Sequence, residues 1–236
     1  MSKFLLVAIL FGALSAPLAL ADTFEEVGED ASQVIVNKYL VATKAQQTKL
    51  RGMASQVKIV GQLPKLAKTG NMTALRQITR IGKIAYKPLG FQGDDTIKKE
   101  VIARFLSAET EEKDNGPIAI TPDNYRFKLK NTANLNGRKT YVLALTPKRK
   151  AVGLFKGELW LDAETSMPVR ETGQFVKNPS LFLKKVSFVR DYAMNGDVSF
   201  PSHLESIAET RLFGKAELEI DYSEYAYADD TGDAAN

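Results

Sequence analysis

Apolar and polar residues alternate along much of the second half of the chain, which is the pattern of β-strands with one buried face. The alternation is clearest over residues 125–130, 141–145, 155–162 and 216–222. Turn-forming pairs such as Asn136-Gly137 separate the apolar runs. The pattern predicts a meander of about eight or more antiparallel strands, apolar on one face and charged on the other.

Two segments have helical periodicity instead. Apolar residues recur at intervals of three and four over residues 25–49 and again over residues 92–113. Asp94 and Asp95 are candidate N-caps of the second segment. We therefore predict a leading helix and a second helix that interrupts an otherwise β-rich chain.

The region between these helices is predicted to be extended but irregular. Residues 55–59 alternate strictly, and residues 75–86 alternate only in part. Because Gly61 and Pro64 interrupt the pattern, we predict that residues 62–72 form a long connection.

These elements predict the fold class. Two helices cannot cover a flat apolar sheet of this size, and large twisted sheets tend to curl. We expect a mainly β fold with two or three helices, in which a strongly curved antiparallel sheet forms an unclosed β-barrel and helices cover the concave face. A concave apolar face can leave room for a ligand.

The predicted ligand cavity is lined by apolar side chains that share the inward phase of their strands. For any single one of them, an ordinary hydrophobic core is the more usual interpretation, but both can hold because a lipid-binding wall is a core with a gap in it. The lining residues are Val57, Ile59, Ile84, Tyr86, Tyr125, Phe127, Tyr141, Leu143, Phe155, Leu159, Leu161, Phe175, Val186, Phe188, Leu218 and Ile220. The second helix is predicted to be a lid over this cavity, with an apolar face formed by Ile97, Val101, Ile102, Phe105 and Leu106.

The N-terminus has the order of a secretory signal peptide. Lys3 precedes an apolar run over residues 4–14, and the small-residue triplet Ala19-Leu20-Ala21 precedes Asp22. The run is too short to span about 30 Å of hydrocarbon, and Pro17 interrupts it. We expect cleavage after residue 21 and export to the periplasm. No cysteine lies near the cleavage site, so no lipid anchor is expected there.

Length and composition predict one domain after the signal peptide. Residues 22–227 are expected to form it, and the small, acidic residues 228–236 are expected to be a disordered tail. With 32 Lys and Arg against 28 Asp and Glu, the formal net charge is only +4, and the charges are interspersed. No nucleic-acid partner is therefore expected. No second apolar stretch has transmembrane length, and we expect a monomer.

The inventory of chemically active side chains argues against an enzyme. There are no cysteines, which excludes thiol, disulfide and cysteine-ligated metal chemistry. His203 is the single histidine, so a multi-histidine metal site is impossible, and it is expected to be an ordinary strand residue. We predict no catalytic residue, no metal site and no cofactor, although a pair of carboxylates that meet in space would escape this reasoning.

Three stretches in the second half of the chain resemble a known superfamily. They are VLALTP at 142–147, GELWLDAET at 157–165 and MPVR at 167–170. In order, they are similar to three consecutive strand segments of the periplasmic lipoprotein-carrier superfamily. The second of these segments ends with a tryptophan, an apolar residue and an aspartate. That superfamily includes LolA, the outer-membrane receptor LolB and the N-terminal domain of RseB. The order of elements matches over nearly all of the predicted mature chain.

The resemblance implies a LolA-like unclosed barrel that binds lipid or lipoprotein acyl chains and exchanges them with inner- or outer-membrane transport proteins. In LolA-type carriers, an arginine of an Arg-Pro pair is tied to cargo release. Here Lys87-Pro88 occupies that place, so Lys87 is a candidate release residue. Lysine cannot make the planar bidentate contacts of arginine, so release would differ in detail.

Two functions from different classes remain open at the level of sequence. The first is a carrier or receptor that shields lipid in a hydrophobic cavity. The second is an envelope-sensing module of the RseB kind that contacts a membrane-protein partner without transporting anything. RseB carries a further C-terminal domain, and we expect no counterpart of it in this chain. Trp160 lies in the outward phase of its strand and is a candidate for such a partner surface.

Overall fold

The structure is a computed structural model that describes residues 21–110, 118–178, 180–195 and 198–227, with side chains from residue 31 onward. Residues 1–20 of the predicted signal peptide and the predicted tail, residues 228–236, lie outside the described residues.

Two helices and ten strands form the described part of the chain. Helix α1 is Ala21–Leu50. Helix α2 is continuous and joins α-helical Asp95–Ile97, π-helical Lys98–Ile102 and α-helical Ala103–Thr110. The strands are β1 (Met53–Leu63), β2 (Lys68–Ile78), β3 (Ile84–Gly93), β4 (Tyr125–Leu135), β5 (Arg138–Pro147), β6 (Phe155–Asp162), β7 (Pro168–Phe175), β8 (Leu183–Asn195), β9 (Val198–Thr210) and β10 (Lys215–Tyr227).

All ten strands belong to one antiparallel sheet in the order β3-β2-β1-β10-β9-β8-β7-β6-β5-β4. The first and last strands of the sequence, β1 and β10, pair in the middle of the sheet. The sheet is not closed, and its two edges are β3 and β4. These edge strands are consecutive in the chain, and α2 lies between them. The helix is therefore inserted in the chain between the two edge strands. The predicted mainly β fold with an unclosed antiparallel sheet is confirmed.

One row of side chains crosses the sheet from edge to edge and defines what we call the inner face. Residues directly opposite each other in a sheet share a face, so the register identifies the row. It is apolar at both ends and carries one carboxylate and one guanidinium in the middle. In order it contains Leu129, Leu143, Leu159, Glu171, Arg190, Leu204, Ile220, Ile59, Met72 and Phe91.

Helix α1 contacts the sheet at widely separated strands. Ser32 Oγ accepts a hydrogen bond from the Leu129 N–H of edge strand β4 at 2.9 Å. Near the other end of the helix, Gln46 Oε1 accepts from the Ser199 N–H of β9 at 2.6 Å. The 14 residues between these contacts span about 21 Å of helix, and five strand spacings amount to about 24 Å. The length of α1 thus matches the distance from β4 to β9.

Two hairpins agree closely with the turn residues of the sequence. Asn136 and Gly137 both have positive φ, 52° and 84°, which is the type I′ geometry that an Asn-Gly pair favours. Between β6 and β7, Asp162 Oδ1 accepts from the backbone N–H groups of Glu164 and Thr165 at 3.0 and 2.8 Å. The aspartate of the tryptophan–apolar–aspartate pattern therefore stabilises a turn.

The prediction of a long connection over residues 62–72 is wrong. Strand β1 continues to Leu63, a 3-10 turn occupies Pro64–Leu66, and β2 begins at Lys68. The predicted single extended stretch, 75–86, is likewise two strands joined by a turn. Strand β2 was missed because its buried positions do not form a run of large apolar residues. They are Gly70, Met72, Ala74 and Arg76.

The helical predictions are confirmed in position. The leading helix was predicted over 25–49 and begins four residues earlier. The second was predicted over 92–113, and α2 is shorter, with residues 111–113 outside the described part. Asp94 is its N-cap and accepts from the Thr96 N–H at 2.7 Å. Over the described ranges, neither helix combines the length and the apolar character that crossing a bilayer needs.

Candidate ligand-binding site

The half of the inner face that is formed by β9, β10, β1 and β2 packs against α2. Ile97 and Ile102 of the helix are fully buried among side chains of β1, β2, β9 and β10. Val101, Phe105 and Leu106 are partly buried against the same group. We call this group the α2 cluster, and its other buried members are Val57, Ile59, Leu63, Met72, Ala74, Leu204, Leu218, Ile220 and Tyr222. All five apolar residues predicted for the helix therefore contact this cluster.

A pair of glycines forms the floor beneath the N-terminal end of α2. Gly61 of β1 and Gly70 of β2 are directly opposite each other. A Cβ atom on Gly61 would lie 2.7 Å from Ile97 Cγ2, and one on Gly70 would lie 3.2 Å from the same atom. The absence of side chains at both positions lets Ile97 approach the sheet backbone.

The half of the inner face that is formed mainly by β4, β5 and β6 packs against α1. Ile35, Val36 and Tyr39 of the helix are buried there. We call this group the α1 cluster, and its buried sheet and loop members are Tyr125, Leu143, Leu145, Leu154, Phe155, Leu159 and Leu161. Phe127, Tyr141 and Phe175 pack on it, and Phe188 packs on both clusters.

The structure thus fixes the inward phase of most residues predicted to line the cavity. Twelve of them are named above in one cluster or the other, and Tyr86 packs on the α2 cluster while Phe188 packs on both. Ile84 is half-buried, and Val186 is buried outside both clusters. That these residues enclose a ligand stays a prediction.

A buried polar group, which sequence reasoning missed, lies between the two apolar clusters. Glu171 accepts a hydrogen bond from the Tyr192 hydroxyl at 2.7 Å and pairs with the Arg190 guanidinium at 3.6 Å. Arg76 Nε lies 3.7 Å from Glu109 Oε2 of α2. Glu109 also accepts from the Tyr86 hydroxyl. We call these six residues the polar cluster.

The polar cluster holds its tyrosines in the protonated form. Burial, reinforced by the negative charge of Glu109, raises the pKa of Tyr86 far above its usual range. Burial and then Glu171 do the same to the pKa of Tyr192. Tyr222, whose ring lies 5.8 Å from the Arg76 guanidinium carbon, has its pKa raised to about 12 by burial and Glu109. The Tyr86 and Tyr192 hydroxyls therefore remain hydrogen-bond donors to Glu109 and Glu171 at neutral pH.

The polar cluster could have been suspected from one sequence signal. Arg76, Glu171 and Arg190 each occupy an inward position in an alternating strand, where apolar residues are expected. A charged residue in that phase needs a buried partner of opposite charge. The sequence gives no indication of which strands are neighbours, so the partners could not be paired.

Breaking the pair between Glu171 and Arg190 should destabilise the fold. We expect Glu171→Leu to lower the free energy of unfolding by about 1–3 kcal/mol, because Arg190 and the Tyr192 hydroxyl lose their acceptor in a largely buried place. Adding Arg190→Met should recover a large part of this loss. Urea unfolding of the two single variants and the double variant measures the effect. Strictly additive losses would contradict a direct interaction.

A cavity of about 150 Å³ lies at the edge of the polar cluster. The residues that line it come from the C-terminal end of α1 and from five strands. They are Gln46, Leu50, Met53, Ala54, Ser55, Arg76, Ile78, Tyr192, Ser199, Phe200, Pro201 and Tyr225. The cavity walls are therefore different from the residues predicted to line a ligand site.

The opposite face of the sheet, which we call the outer face, carries charge and a half-buried tryptophan. Trp160 lies opposite Val142 and Arg170, and its Nε1 donates to Glu158 Oε2 at 3.0 Å. Arg170 in turn makes a bidentate pair with Asp191 at 2.5 and 2.8 Å. The predicted outward phase of Trp160 is confirmed, and the register places it on the face away from Leu159.

His203 also lies on the outer face, between two carboxylates. Its Nδ1 is 2.7 Å from Asp221 Oδ1, and its Nε2 is 3.3 Å from Glu205 Oε1. Burial alone would lower the pKa of His203, but these two hydrogen bonds outweigh it, so the pKa lies above 6.5. Donor atoms of His203, Glu219 and Asp221 lie within 4.8 Å of one another, and both carboxylates are exposed.

Lys87, the predicted release residue, is exposed in β3 opposite Leu75.

Comparisons with known proteins return solved structures but no sequence relatives. No family model matches the chain, and no curated protein matches it. A DUF1329 family protein from Desulfovibrio piger is 15% identical with a TM-score of 0.47, and the match covers 84% of this chain and 94% of that one. A domain described as an outer membrane lipoprotein-sorting protein, from Vibrio parahaemolyticus, is 14% identical with a TM-score of 0.43, and the match covers 86% of this chain and 94% of that one.

Two further solved structures match this chain at lower TM-scores. A LolA superfamily protein from Nitrosomonas europaea is 16% identical with a TM-score of 0.38, over 84% of this chain and 94% of that one. A complex of MucA and MucB from Pseudomonas aeruginosa contains a chain 10% identical, with a TM-score of 0.30, over 82% and 99%. The matches thus include a protein of the LolA superfamily that the sequence resembles. At these identities and scores, the function has to be argued from this chain's own residues.

Proposed function

We propose that this protein is a periplasmic carrier or receptor that shields hydrophobic chains, such as those of a lipid or a lipoprotein, between its sheet and its helices. The proposal includes a sheet that curls, as large antiparallel sheets tend to do, with α1 and α2 covering the concave inner face. The export signal predicted at the N-terminus supports the location, and the paired clusters support the binding surface.

One observation carries the proposal: α2 buries an apolar face on the sheet although it is not part of the sheet. Ile97 and Ile102 are fully buried, and they contact strands whose hydrogen bonds do not involve the helix. A helix inserted between the two edge strands can therefore move without breaking strand pairing. Its departure would expose Val57, Ile59, Leu218 and Ile220, which offer an apolar surface to an acyl chain.

The energetics favour reversible binding. Burial of each CH₂ group contributes about 0.8 kcal/mol, so an acyl chain gains several kcal/mol when it leaves water. The chain must replace the contacts that α2 already makes with the same surface, and this exchange offsets much of the gain. The resulting affinity is moderate, which suits a protein that receives cargo and passes it on.

In this proposal α2 is the lid, and polar contacts, including those of Glu109 in the polar cluster, hold it on the sheet. Glu109, near the C-terminal end of α2, contacts Tyr86 and Arg76 of the sheet. At the N-terminal end, Lys68 Nζ binds Thr96 Oγ1 at 2.7 Å and Asp94 at 3.3 Å. The lid would thus be held at both ends by polar contacts and in the middle by apolar ones. Transport proteins of the inner or outer membrane remain the proposed sources and acceptors of cargo.

Binding of a neutral hydrophobic probe tests the proposal. The dye N-phenyl-1-naphthylamine is added to purified protein without detergent, and dodecanol is then titrated in as a competitor. We expect dye fluorescence to rise on binding and to fall as dodecanol displaces the dye. Fluorescence no greater than that of an unrelated folded protein at the same concentration would overturn the proposal and favour a protein-interaction module.

A further inference from the structure

Two buried polar atoms beside the cavity lack hydrogen-bond partners. They are Ser55 Oγ and Arg76 Nε, and neither makes a hydrogen bond to any residue that the structure describes. Ser55 is 1% exposed and Arg76 is 7% exposed. They lie directly opposite each other on β1 and β2, and both line the cavity.

Neighbouring groups do not satisfy these atoms. Glu109 Oε2 is 3.7 Å from Arg76 Nε, beyond hydrogen-bonding distance. The Tyr225 hydroxyl, which also borders the cavity, donates to the Pro201 carbonyl. Burial of an unpaired polar group is unfavourable, and native proteins avoid it unless the group serves a purpose.

The rest of the cavity wall suits a short piece of apolar chain. Leu50, Met53, Ile78 and Phe200 contribute apolar side chains, and Arg76 contributes a positive charge. None of the described residues that line the cavity is acidic, and Glu109, which forms an ion pair with Arg76, is not among them. A volume of about 150 Å³ is similar to that of an engineered cavity that binds benzene, which is large enough for a head group and the first few carbons of a chain.

We propose, on the basis of the proposed function, that this cavity receives the anionic end of an amphiphile. One oxygen of a carboxylate or a phosphate accepts hydrogen bonds from Arg76 Nε and Ser55 Oγ, and the adjoining methylene groups pack on Leu50, Met53 and Phe200. The remaining chain extends from the cavity along the inner face. The ligand would therefore bind in one orientation, with its anionic end in the cavity.

Competition between matched ligands tests this assignment. Dodecanoate, dodecyl phosphate and dodecanol have the same chain and differ at one end, and each is titrated against bound N-phenyl-1-naphthylamine at pH 8. We expect at least one of the two anions to bind the wild-type protein about tenfold or more tightly than dodecanol does. A stronger preference for dodecanoate assigns a fatty-acid carboxylate, and a stronger preference for dodecyl phosphate assigns a phosphate head group.

Substitutions locate the preference. Arg76→Met keeps a long apolar stem and should abolish the preference for anions, and Ser55→Ala should reduce it. Arg126→Met, which removes an exposed arginine from β4, should leave it unchanged. Circular dichroism establishes that each variant is folded, and the wild-type comparison decides the question even if Arg76→Met does not fold.

The outcomes separate this inference from the function on which it rests. Equal binding of the anions and dodecanol to the wild-type protein would overturn the anionic site and leave the carrier intact. A preference that persists in folded Arg76→Met would also overturn it. Failure of all three ligands to displace the dye would contradict the carrier itself.

Discussion

Leu159→Asp should unfold the protein. Leu159 is fully buried in the α1 cluster, on β6 near the middle of its half of the sheet. The substitution removes a core side chain, which costs about 2–5 kcal/mol, and places a buried carboxylate directly opposite Glu171. The combined loss is comparable with the whole stability of a typical domain, about 5–15 kcal/mol. Circular dichroism and urea unfolding measure the result.

A matched control separates burial from added charge. Lys156→Asp introduces the same carboxylate on the same strand, at an exposed position of the outer face. It should unfold at nearly the same urea concentration as the wild type. If Leu159→Asp unfolded at the wild-type midpoint, the assignment of inner and outer faces on β6 would be reversed.

Ile102→Asp should release α2 while the sheet stays folded. Ile102 is fully buried against the α2 cluster, so the carboxylate would weaken docking of the helix by several kcal/mol. Strand pairing does not depend on the helix, and the β-sheet signal in circular dichroism should remain. Exposure of the apolar surface beneath should increase the fluorescence of bound N-phenyl-1-naphthylamine several-fold.

Two other variants test whether the helix itself is the cause. Ala103→Asp places the same charge at the next, exposed position of α2 and should leave dye binding unchanged. Gly61→Val acts from the sheet side, because its side chain would collide with Ile97, and it should raise dye binding as Ile102→Asp does. If both Ile102→Asp and Gly61→Val lost the β-sheet signal in circular dichroism, the sheet would need α2 in order to fold. The helix would then be part of the core and not a lid.

The elements that could be predicted from the sequence are those governed by local patterns. Alternation fixed the inward phase of Leu143, Leu159 and Ile220, because a strand places every second residue on one face. The Asn136-Gly137 turn and the Asp94 cap follow from backbone preferences of a few adjacent residues. These features need no knowledge of which strands are neighbours.

The remainder depends on contacts between distant parts of the chain. Pairing of β1 with β10 and the opening between β3 and β4 are properties of the whole fold. Strand β2 could not be recognised in the sequence because it lacks the regular apolar residues of a strand with one buried face. In the polar cluster, Arg76 of β2 pairs with Glu109 of α2, although the whole of β3 lies between them in the sequence. The inward phase of Arg76, Glu171 and Arg190 is visible in the sequence, but their partners are not, because the register alone shows which strands are neighbours. The cavity beside Arg76 arises from the ends of six elements and has no local signature.

Mass spectrometry of an organic extract tests the central claim most directly. The mature protein is purified from its native periplasm without detergent, extracted, and compared with an unrelated periplasmic protein purified in the same way. The account predicts stoichiometric co-purification of a lipid or lipopeptide, with an anionic group at one end of its chain. An extract with no more lipid than the comparison protein would contradict a carrier of hydrophobic chains.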